Sequence, residues 1–192
     1  MAIVMTRFML SGLAVGGACI NLHFLSPRIS CHSWQNNLEE CIVNENQAAV
    51  VDIAVKAESG GTMERQESIV IHENTGIEGD YHTRGARQVT VLFKDSWEAA
   101  CAELNVTLPW TTRRANVYVA GILPTDCVDK HLQIGNVLLE VTGETRPCHI
   151  MEAAQPGLRA ALQPEWRGGV TCRVLQSGAI HCGDAVKILE KA

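Results

Sequence analysis

The chain has 192 residues, 46% hydrophobic and 19% charged, with a formal net charge of −5 at pH 7. This composition is ordinary for a globular protein, and the length fits one domain with an appendage. Because nucleic-acid-binding proteins are normally basic, the charge argues against nucleic acid as a partner.

The first 47 residues are predicted to be an extension outside the folded domain. Residues 1–22 contain one basic residue, Arg7, and then a short apolar stretch that ends in small residues, which is the outline of a signal peptide. The stretch is too short and too rich in glycine for a stable membrane span. Two interpretations stay open: a targeting segment, or upstream sequence that is not naturally translated. We expect a cytoplasmic protein, or an exported one if residues 1–22 act as a signal.

From residue 48 the sequence becomes regular and is typical of short β-strands. Strands are predicted at 48–55, 68–71, 88–93, 117–120, 131–134, 137–141, 170–175, 179–180 and 185–189, with glycine and polar turns between them. The two-residue turn Gly135-Asn136 joins two of these strands as a hairpin. The pattern assigns residues 48–190 to one domain.

Two helices are predicted among the strands. Asp95, with Glu98 three residues later, predicts a capping box at the start of a helix that ends near Asn105. Pro156 is well placed as the first residue of a second helix, which runs to Leu162. With many short strands and two or so short helices, the predicted class is mainly β. A closed β-barrel is favoured, because closure removes exposed sheet edges.

Eight cysteines are many for a chain of this length, but none forms a C-x-x-C pair, so the spacing does not support a zinc ribbon or finger. Cys101 and Cys172 fall at predicted core positions of a helix and a strand. Cys148 differs, because it follows the end of a strand and comes directly after Pro147. A loop would therefore present its thiol, and Arg146 nearby would favour the thiolate. Simple packing is the competing interpretation, since free cysteines are commonly buried.

Arginines are concentrated in the second half of the chain, where eight of the sixteen basic residues are arginines between positions 84 and 173. Guanidinium groups match phosphate and other oxyanions, so the pattern is compatible with a pocket for a small anionic ligand. A solvated arginine surface is the alternative.

Six short segments of the sequence occur in a fixed order. They are Gly76-Ile77-Glu78-Gly79-Asp80, Arg87-Gln88-Val89-Thr90, Arg114-Ala115-Asn116, Leu139-Glu140-Val141-Thr142-Gly143, Pro147-Cys148 and Arg167-Gly168-Gly169-Val170. In this order they resemble MOSC domains, which are shared by the C-terminus of molybdenum-cofactor sulfurases and the amidoxime-reducing molybdenum enzymes. The resemblance covers about residues 48–190, and the chain is most similar to the small stand-alone bacterial members.

The resemblance implies a β-barrel and a thiol, Cys148, that either ligates molybdenum or carries sulfur. Molybdenum takes soft sulfur ligands, and a thiolate is also the form that accepts a persulfide sulfur. In the molybdenum-binding relatives the element matched by Arg114 and Asn116 contacts the molybdenum cofactor (molybdopterin). The further candidate cofactor-binding residues are Arg113, Thr142, Arg167 and Gly168.

Three functions stay open at this point. The first is a protein that binds the molybdenum cofactor through Cys148, as a small reductase of N-hydroxylated compounds or as a cofactor carrier. The second is a sulfur carrier that receives a persulfide on Cys148 for delivery to metal–sulfur cluster or cofactor assembly. The third is a non-catalytic barrel that binds a partner or an anion.

The implied partners are a sulfurase or an electron-donor protein. No pyridoxal phosphate site is expected, because the sequence has no aminotransferase-like domain. The enzyme class stays open between a molybdenum-dependent oxidoreductase and a sulfur transferase, and the oligomeric state is not indicated.

Overall fold

The computed structural model describes residues 47–81, 85 and 87–191, and in these residues the chain forms eleven strands and three short α-helices. The strands are β1 (Ala49–Val55), β2 (Glu64–Gln66), β3 (Ser68–His72), β4 (Gly76–Ile77), β5 (Val89–Phe93), β6 (Val117–Ala120), β7 (His131–Ile134), β8 (Val137–Glu144), β9 (Val170–Gln176), β10 (Gly178–His181) and β11 (Val186–Leu189). The helices are α1 (Lys94–Glu103), α2 (His149–Ala154) and α3 (Leu158–Ala161). The predictions for residues 1–46 lie outside the described residues, and the domain boundary stays a prediction.

The strands form two open sheets rather than the predicted closed barrel. Eight strands make one sheet in the order β11-β7-β8-β9-β5-β6-β1-β2, and three make a second in the order β10-β3-β4. Strand β1 pairs with β2 on one side and with β6 on the other. Because β2 pairs only with residues 53–55 of β1, the start of β1 also contacts the far end of the sheet, through the isolated bridge between Ala49 and Ala185 and three backbone hydrogen bonds between residues 48–50 and 183–186. These contacts do not extend into a ladder of paired strands. The mainly β class is confirmed, and the prediction of a closed barrel is wrong.

Strand β5 lies at the centre of the larger sheet and separates two apolar cores. It is buried at all five positions, with β6 parallel on one side and β9 antiparallel on the other. Successive side chains of a strand point to opposite faces. Val91 and Phe93 therefore enter one core, while Leu92 enters a second core that also contains buried residues of α1, α2 and α3. Each fully buried side chain of this kind contributes about 1.5–3 kcal/mol of transfer free energy.

Helix α1 begins without the predicted capping box. Its N-cap is Phe93, which makes no side-chain cap hydrogen bond, and Asp95 lies inside the first turn. Glu98 pairs instead with the ammonium of Lys94 at 2.7 Å. The helix prediction is confirmed and its capping prediction is wrong. The reason is tertiary: the fully buried Phe93 ends β5, and the chain passes from it directly into the helix.

The second predicted helical region is displaced and divided. Helix α3 begins after Gly157, at φ +85°, instead of at Pro156, and α2 comes before it without having been predicted. The hairpin of β7 and β8 is present, with Ile134 opposite Val137 across the turn. Within the described residues, every helix lacks the length or the apolar character that a bilayer-spanning helix requires.

Candidate functional site

A cavity of about 280 Å³ lies on the helical side of β5. Five of its lining residues are cationic and one is a carboxylate: Lys56, Arg87, Arg113, Arg114, Arg146 and Asp80. Cys148 also lines it, with Thr90, Asn116, Thr145 and the apolar side chains of Met63, Ile150 and Met151. An excess of positive charge in a concave site attracts anions, and guanidinium groups bind oxyanions with two parallel hydrogen bonds.

The cavity is assembled from segments that follow the ends of several strands. Lys56 follows β1, Asp80 follows β4, and Arg113 ends a 3₁₀ turn that precedes β6. Cys148 comes four residues after β8, at the start of α2. Side chains on loops held by a rigid sheet are the usual source of binding groups.

Cys148 is the N-cap of α2 and is exposed. Among the cysteines in the described residues, only Cys182 is also exposed, while Cys101, Cys127 and Cys172 are buried. The two predicted core cysteines are therefore confirmed. Desolvation lowers the pKa of Arg87 and of Arg113, and the negative charge of a Cys148 thiolate acts in the opposite direction on both. The thiol is thus within electrostatic reach of both guanidinium groups.

Burial and mutual repulsion disfavour the positive charges in the cavity. Burial, and then the nearby Arg87, lower the pKa of Arg113 to about 10. Desolvation followed by the charge of Arg114 lowers the pKa of Lys56 and of Arg87. An anion in the cavity would raise these pKa values again, because an opposite charge favours the protonated form of a base.

Arg113 is only 5% exposed and directs two donors at the protein backbone. Its Nε donates to the carbonyl of Gly168 at 2.8 Å, and its Nη2 donates to the carbonyl of Thr145 at 2.6 Å. The guanidinium therefore joins two segments that are far apart in the sequence. Its role as a direct cofactor ligand stays a prediction.

Arg114 adopts a left-handed backbone conformation, with φ 61° and ψ 40°. Left-handed backbone is unfavourable for a residue with a Cβ, and such residues are concentrated at functional sites. The conformation ends the 3₁₀ turn and places Arg114 in the lining of the cavity beside Arg113. The predicted pair of Arg114 and Cys148 is thus brought to one cavity.

Asn116 lines the same cavity, but its amide is engaged inside the protein. Its Oδ1 accepts from the N–H of Thr90 at 3.0 Å, and its Nδ2 donates to Asp80 Oδ2 at 2.6 Å and to the carbonyl of Ala54 at 3.4 Å. The side chain therefore holds Asp80, the carboxylate among the described residues that line the cavity, in place. A direct contact of Asn116 with a cofactor stays a prediction.

Three other predicted residues do not line the cavity. The hydroxyl of Thr142 bonds to the backbone carbonyl of Thr171 at 3.0 Å on the sheet. Arg167 pairs with Glu103 at 2.5 Å. Gly168 lies close against the backbone of Thr145 and the guanidinium of Arg113 instead of lining the cavity.

The lining residues that were not anticipated as site residues include Lys56 and Thr145. Lys56 is 2% exposed, and its only sequence signal is a lysine at the end of an apolar strand. Thr145 is 3% exposed, and within the described part of the chain its hydroxyl is buried with no hydrogen-bond partner. Nearly all buried polar groups have a partner, so the Thr145 hydroxyl is an exception among the described residues.

The described residues include no group of three or more His, Cys, Asp or Glu side chains that could hold a metal ion. A metal at Cys148 would therefore need its other ligands from a cofactor. A soft thiolate beside several cations fits a soft metal carried by an anionic cofactor. On donor chemistry and charge, the residues present fit the molybdenum cofactor.

The fold and the site define a mainly β protein with a cationic, thiol-bearing cavity. The family model for the MOSC domain matches residues 78–187, so the chain belongs to the MOSC domain family. No curated protein matches the chain.

Several solved bacterial structures share the fold. The YuaD protein from Bacillus subtilis is similar with a TM-score of 0.64 and 17% identity, over 76% of this chain and 97% of that one. YiiM from Geobacillus stearothermophilus is similar with a TM-score of 0.62 and 16% identity, over 74% and 75% of the two chains. YiiM from Escherichia coli has a TM-score of 0.57 and 12% identity, over 75% and 71%. At these identities the likeness shows the fold alone.

Proposed function

We propose that the cavity binds the molybdenum cofactor, with Cys148 as the protein's ligand to the metal. The observation that carries this proposal is the convergence of an exposed thiol and five cationic side chains on one cavity. Ammonium and guanidinium groups suit the phosphate of the cofactor, and a thiolate suits its metal. Membership of the MOSC domain family supports the same ligand.

The residues of the cavity have separate roles in this proposal. Lys56 and Arg114 hold the anionic part of the cofactor by charge. Arg87 adds a further positive charge to the cavity lining, which attracts the anion. Asn116 acts indirectly, because its hydrogen bond holds Asp80 among the cations.

The reaction proposed for the bound protein is reduction of an N-hydroxylated compound. Cleavage of the N–O bond in such a compound consumes two electrons and two protons and releases water. An electron-donor protein would supply the electrons, and the cofactor would supply the redox chemistry. A carrier that passes the cofactor on would use the same contacts.

Replacing Cys148 with alanine is expected to remove most of the molybdenum that co-purifies with the chain, because the metal loses its protein ligand. Cys182→Ala is the matched control, since Cys182 is exposed but does not line the cavity. Metal analysis of the three proteins from a molybdenum-replete host measures the effect. Equal molybdenum in wild type and Cys148→Ala would exclude the thiol as the ligand.

Arg114→Ala is expected to weaken cofactor retention on the order of tenfold, because a hydrogen bond to a charged group contributes about 1.5–3 kcal/mol. The fold should be nearly unaffected, since removing Arg114 also removes repulsion from Lys56 and Arg87. Retention is measured by metal content after dialysis, and folding by thermal unfolding. Unchanged retention would remove Arg114 from the site.

The alternative is a sulfur carrier, and the exposure of Cys148 is the observation that favours it. The thiolate would attack the outer sulfur of a persulfide on a sulfurase; the partner's S–S bond breaks as a new one forms, and the partner's thiolate leaves. No net oxidation occurs. A mass increase of one sulfur atom confined to the Cys148 peptide, in protein without molybdenum, would favour this function over cofactor binding.

A further inference from the structure

Arg113 joins the loop that carries Cys148 to a turn formed by residues 164–169. We propose that Arg113 is a positioning residue, which fixes the direction in which Cys148 enters the cavity by holding this loop against the turn. The inference rests on the proposed role of Cys148, but not on which ligand or sulfur species the thiol takes.

The loop is held through the backbone of Thr145, three residues before Cys148. The carbonyl of Thr145 accepts from Arg113 Nη2 at 2.6 Å, and its N–H donates to the carbonyl of Gly169 at 2.8 Å. Both backbone polar groups of Thr145 therefore form hydrogen bonds, one to Arg113 and one to the turn at Gly169. Between Thr145 and Cys148, Pro147 allows little further freedom because its ring fixes φ.

The turn that faces this loop is held in an unfavourable backbone conformation. Glu165 and Trp166, at φ 51° and 58°, are consecutive non-glycine residues in the left-handed region. Each such residue costs about 1–3 kcal/mol and persists only where surrounding contacts enforce it. The enforcing contacts are hydrogen bonds from Arg167 N–H to Pro164 O and from Gly168 N–H to Leu162 O, at 3.0 and 3.1 Å.

The turn also approaches its neighbours as closely as glycine allows. A Cβ at Gly168 would lie well inside van der Waals contact of the Thr145 carbonyl, and one at Gly169 would do the same to the carbonyl of Val91. The carbonyl of Gly168 then reaches Arg113 Nε at 2.8 Å. Backbone strain, close approach and a buried guanidinium therefore all maintain one arrangement, in which the loop of Cys148 lies against the turn.

Arg113 also places a buried positive charge in the cavity that Cys148 lines. A Cys148 thiolate acts against the lowering of the pKa of Arg113 by burial. A lysine at this position would keep the charge, but a single ammonium cannot reproduce two donors in the fixed geometry of a guanidinium. Arg113→Lys therefore separates position from charge.

The test is the alkylation of Cys148 by two reagents that differ in charge, iodoacetate and iodoacetamide. Peptide mass spectrometry of the alkylated full chain measures the reaction rate of Cys148 separately from the other cysteines. The exposed Cys182 serves as a reference in the same molecule. In the wild type we expect the ratio of the iodoacetate rate to the iodoacetamide rate to be higher at Cys148 than at Cys182, because the cavity cations attract the anionic reagent.

Arg113→Lys is expected to lower the Cys148 ratio at least about threefold although the charge is kept, since Coulomb attraction falls as the thiol moves away from the cations. Arg159→Lys, at an exposed position of α3, should leave it unchanged.

An unchanged ratio in folded Arg113→Lys would overturn the proposal, as would equal ratios at Cys148 and Cys182 in the wild type. If Arg113→Lys does not fold, amide hydrogen exchange of the wild type decides. The N–H groups of Thr145 and Gly168 should then show protection within about tenfold of each other, because segments that open as one unit exchange together. Much faster exchange at Thr145 would show that the loop opens independently of the turn.

The alkylation test of Arg113 and the molybdenum test of the proposed function can fail independently. Absence of molybdenum from the wild type would exclude the cofactor role and leave the alkylation ratios unaffected. An unchanged Cys148 ratio in folded Arg113→Lys, in a protein that retains molybdenum through Cys148, would exclude only the positioning role of Arg113.

Discussion

Gly169→Ala is expected to destabilise the protein by about 2–5 kcal/mol, the sum of left-handed strain of about 1–2 kcal/mol and overpacking of about 1–3 kcal/mol. Gly169 has φ +94°, and a Cβ there would press on the backbone carbonyl of Val91 in the central strand. Strand backbone cannot yield as a flexible side chain can. For a protein of this size, 3 kcal/mol corresponds to a loss of about 6–12 °C in Tm.

The matched control for this substitution is Gly183→Ala. Gly183 has nearly the same conformation, φ +90°, but a Cβ there would meet no atom within 4 Å. Only the conformational cost should appear, about 1–2 kcal/mol. Thermal unfolding of both variants measures the difference. Equal losses of stability would show that Gly169 is needed for its φ alone and that the close approach to β5 carries no cost.

Lys56→Met is expected to have opposite effects on binding and on stability. The cavity loses a cation, so retention of the anionic cofactor should fall on the order of tenfold. The folded protein should become more stable at pH 7, because burial and the charge of Arg114 disfavour the ammonium in the native state. Groups that bind ligands commonly reduce stability in this way.

The pH dependence of stability provides a check on the sign of this effect. Because the pKa of Lys56 is lower in the folded protein than in the unfolded chain, the unfolded chain binds more protons between the two values. Stability should therefore rise with pH as the solution approaches the ordinary lysine pKa, and Lys56→Met should lack this rise. Lys187→Met, at an exposed position of β11, is the control. A loss of stability at pH 7 in Lys56→Met would contradict the account.

Local patterns in the sequence predict the strands better than the way they assemble. The run ending at Phe93 and the hairpin around Gly135-Asn136 are found because alternation, apolar content and turn residues are local properties. Closure of a barrel is not local. It depends on whether β1 forms a full ladder with the far end of the sheet. Here the contact is one bridge and a few backbone hydrogen bonds, and no short-range pattern in the sequence predicts where that pairing stops.

Helix ends show the same division between local and tertiary effects. Asp95 and Glu98 have capping-box spacing, but burial of Phe93 moves the start of α1 to Lys94. Helix α2 was missed because its only buried residue is Met151, so its six residues show no apolar period. A single buried position is too weak a signal for a helix.

The candidate site was predictable where its residues are close together in the sequence. Arg114 belongs to a short motif, and Cys148 follows the end of a strand, so both could be assigned before the structure was known. The contacts of Arg113 lie 32 and 55 residues away, at Thr145 and Gly168, and only the fold brings them together. Lys56 was not anticipated for the same reason: it is far from Arg114 and Cys148 in the sequence, and only the fold brings it to their cavity.

The most direct test of the account is the molybdenum content of the wild-type chain purified from a molybdenum-replete host. The cationic cavity with Cys148 at its wall predicts close to one molybdenum atom per chain, retained through dialysis. A chain that is folded by thermal unfolding, carries a free Cys148 thiol and contains no molybdenum would contradict it.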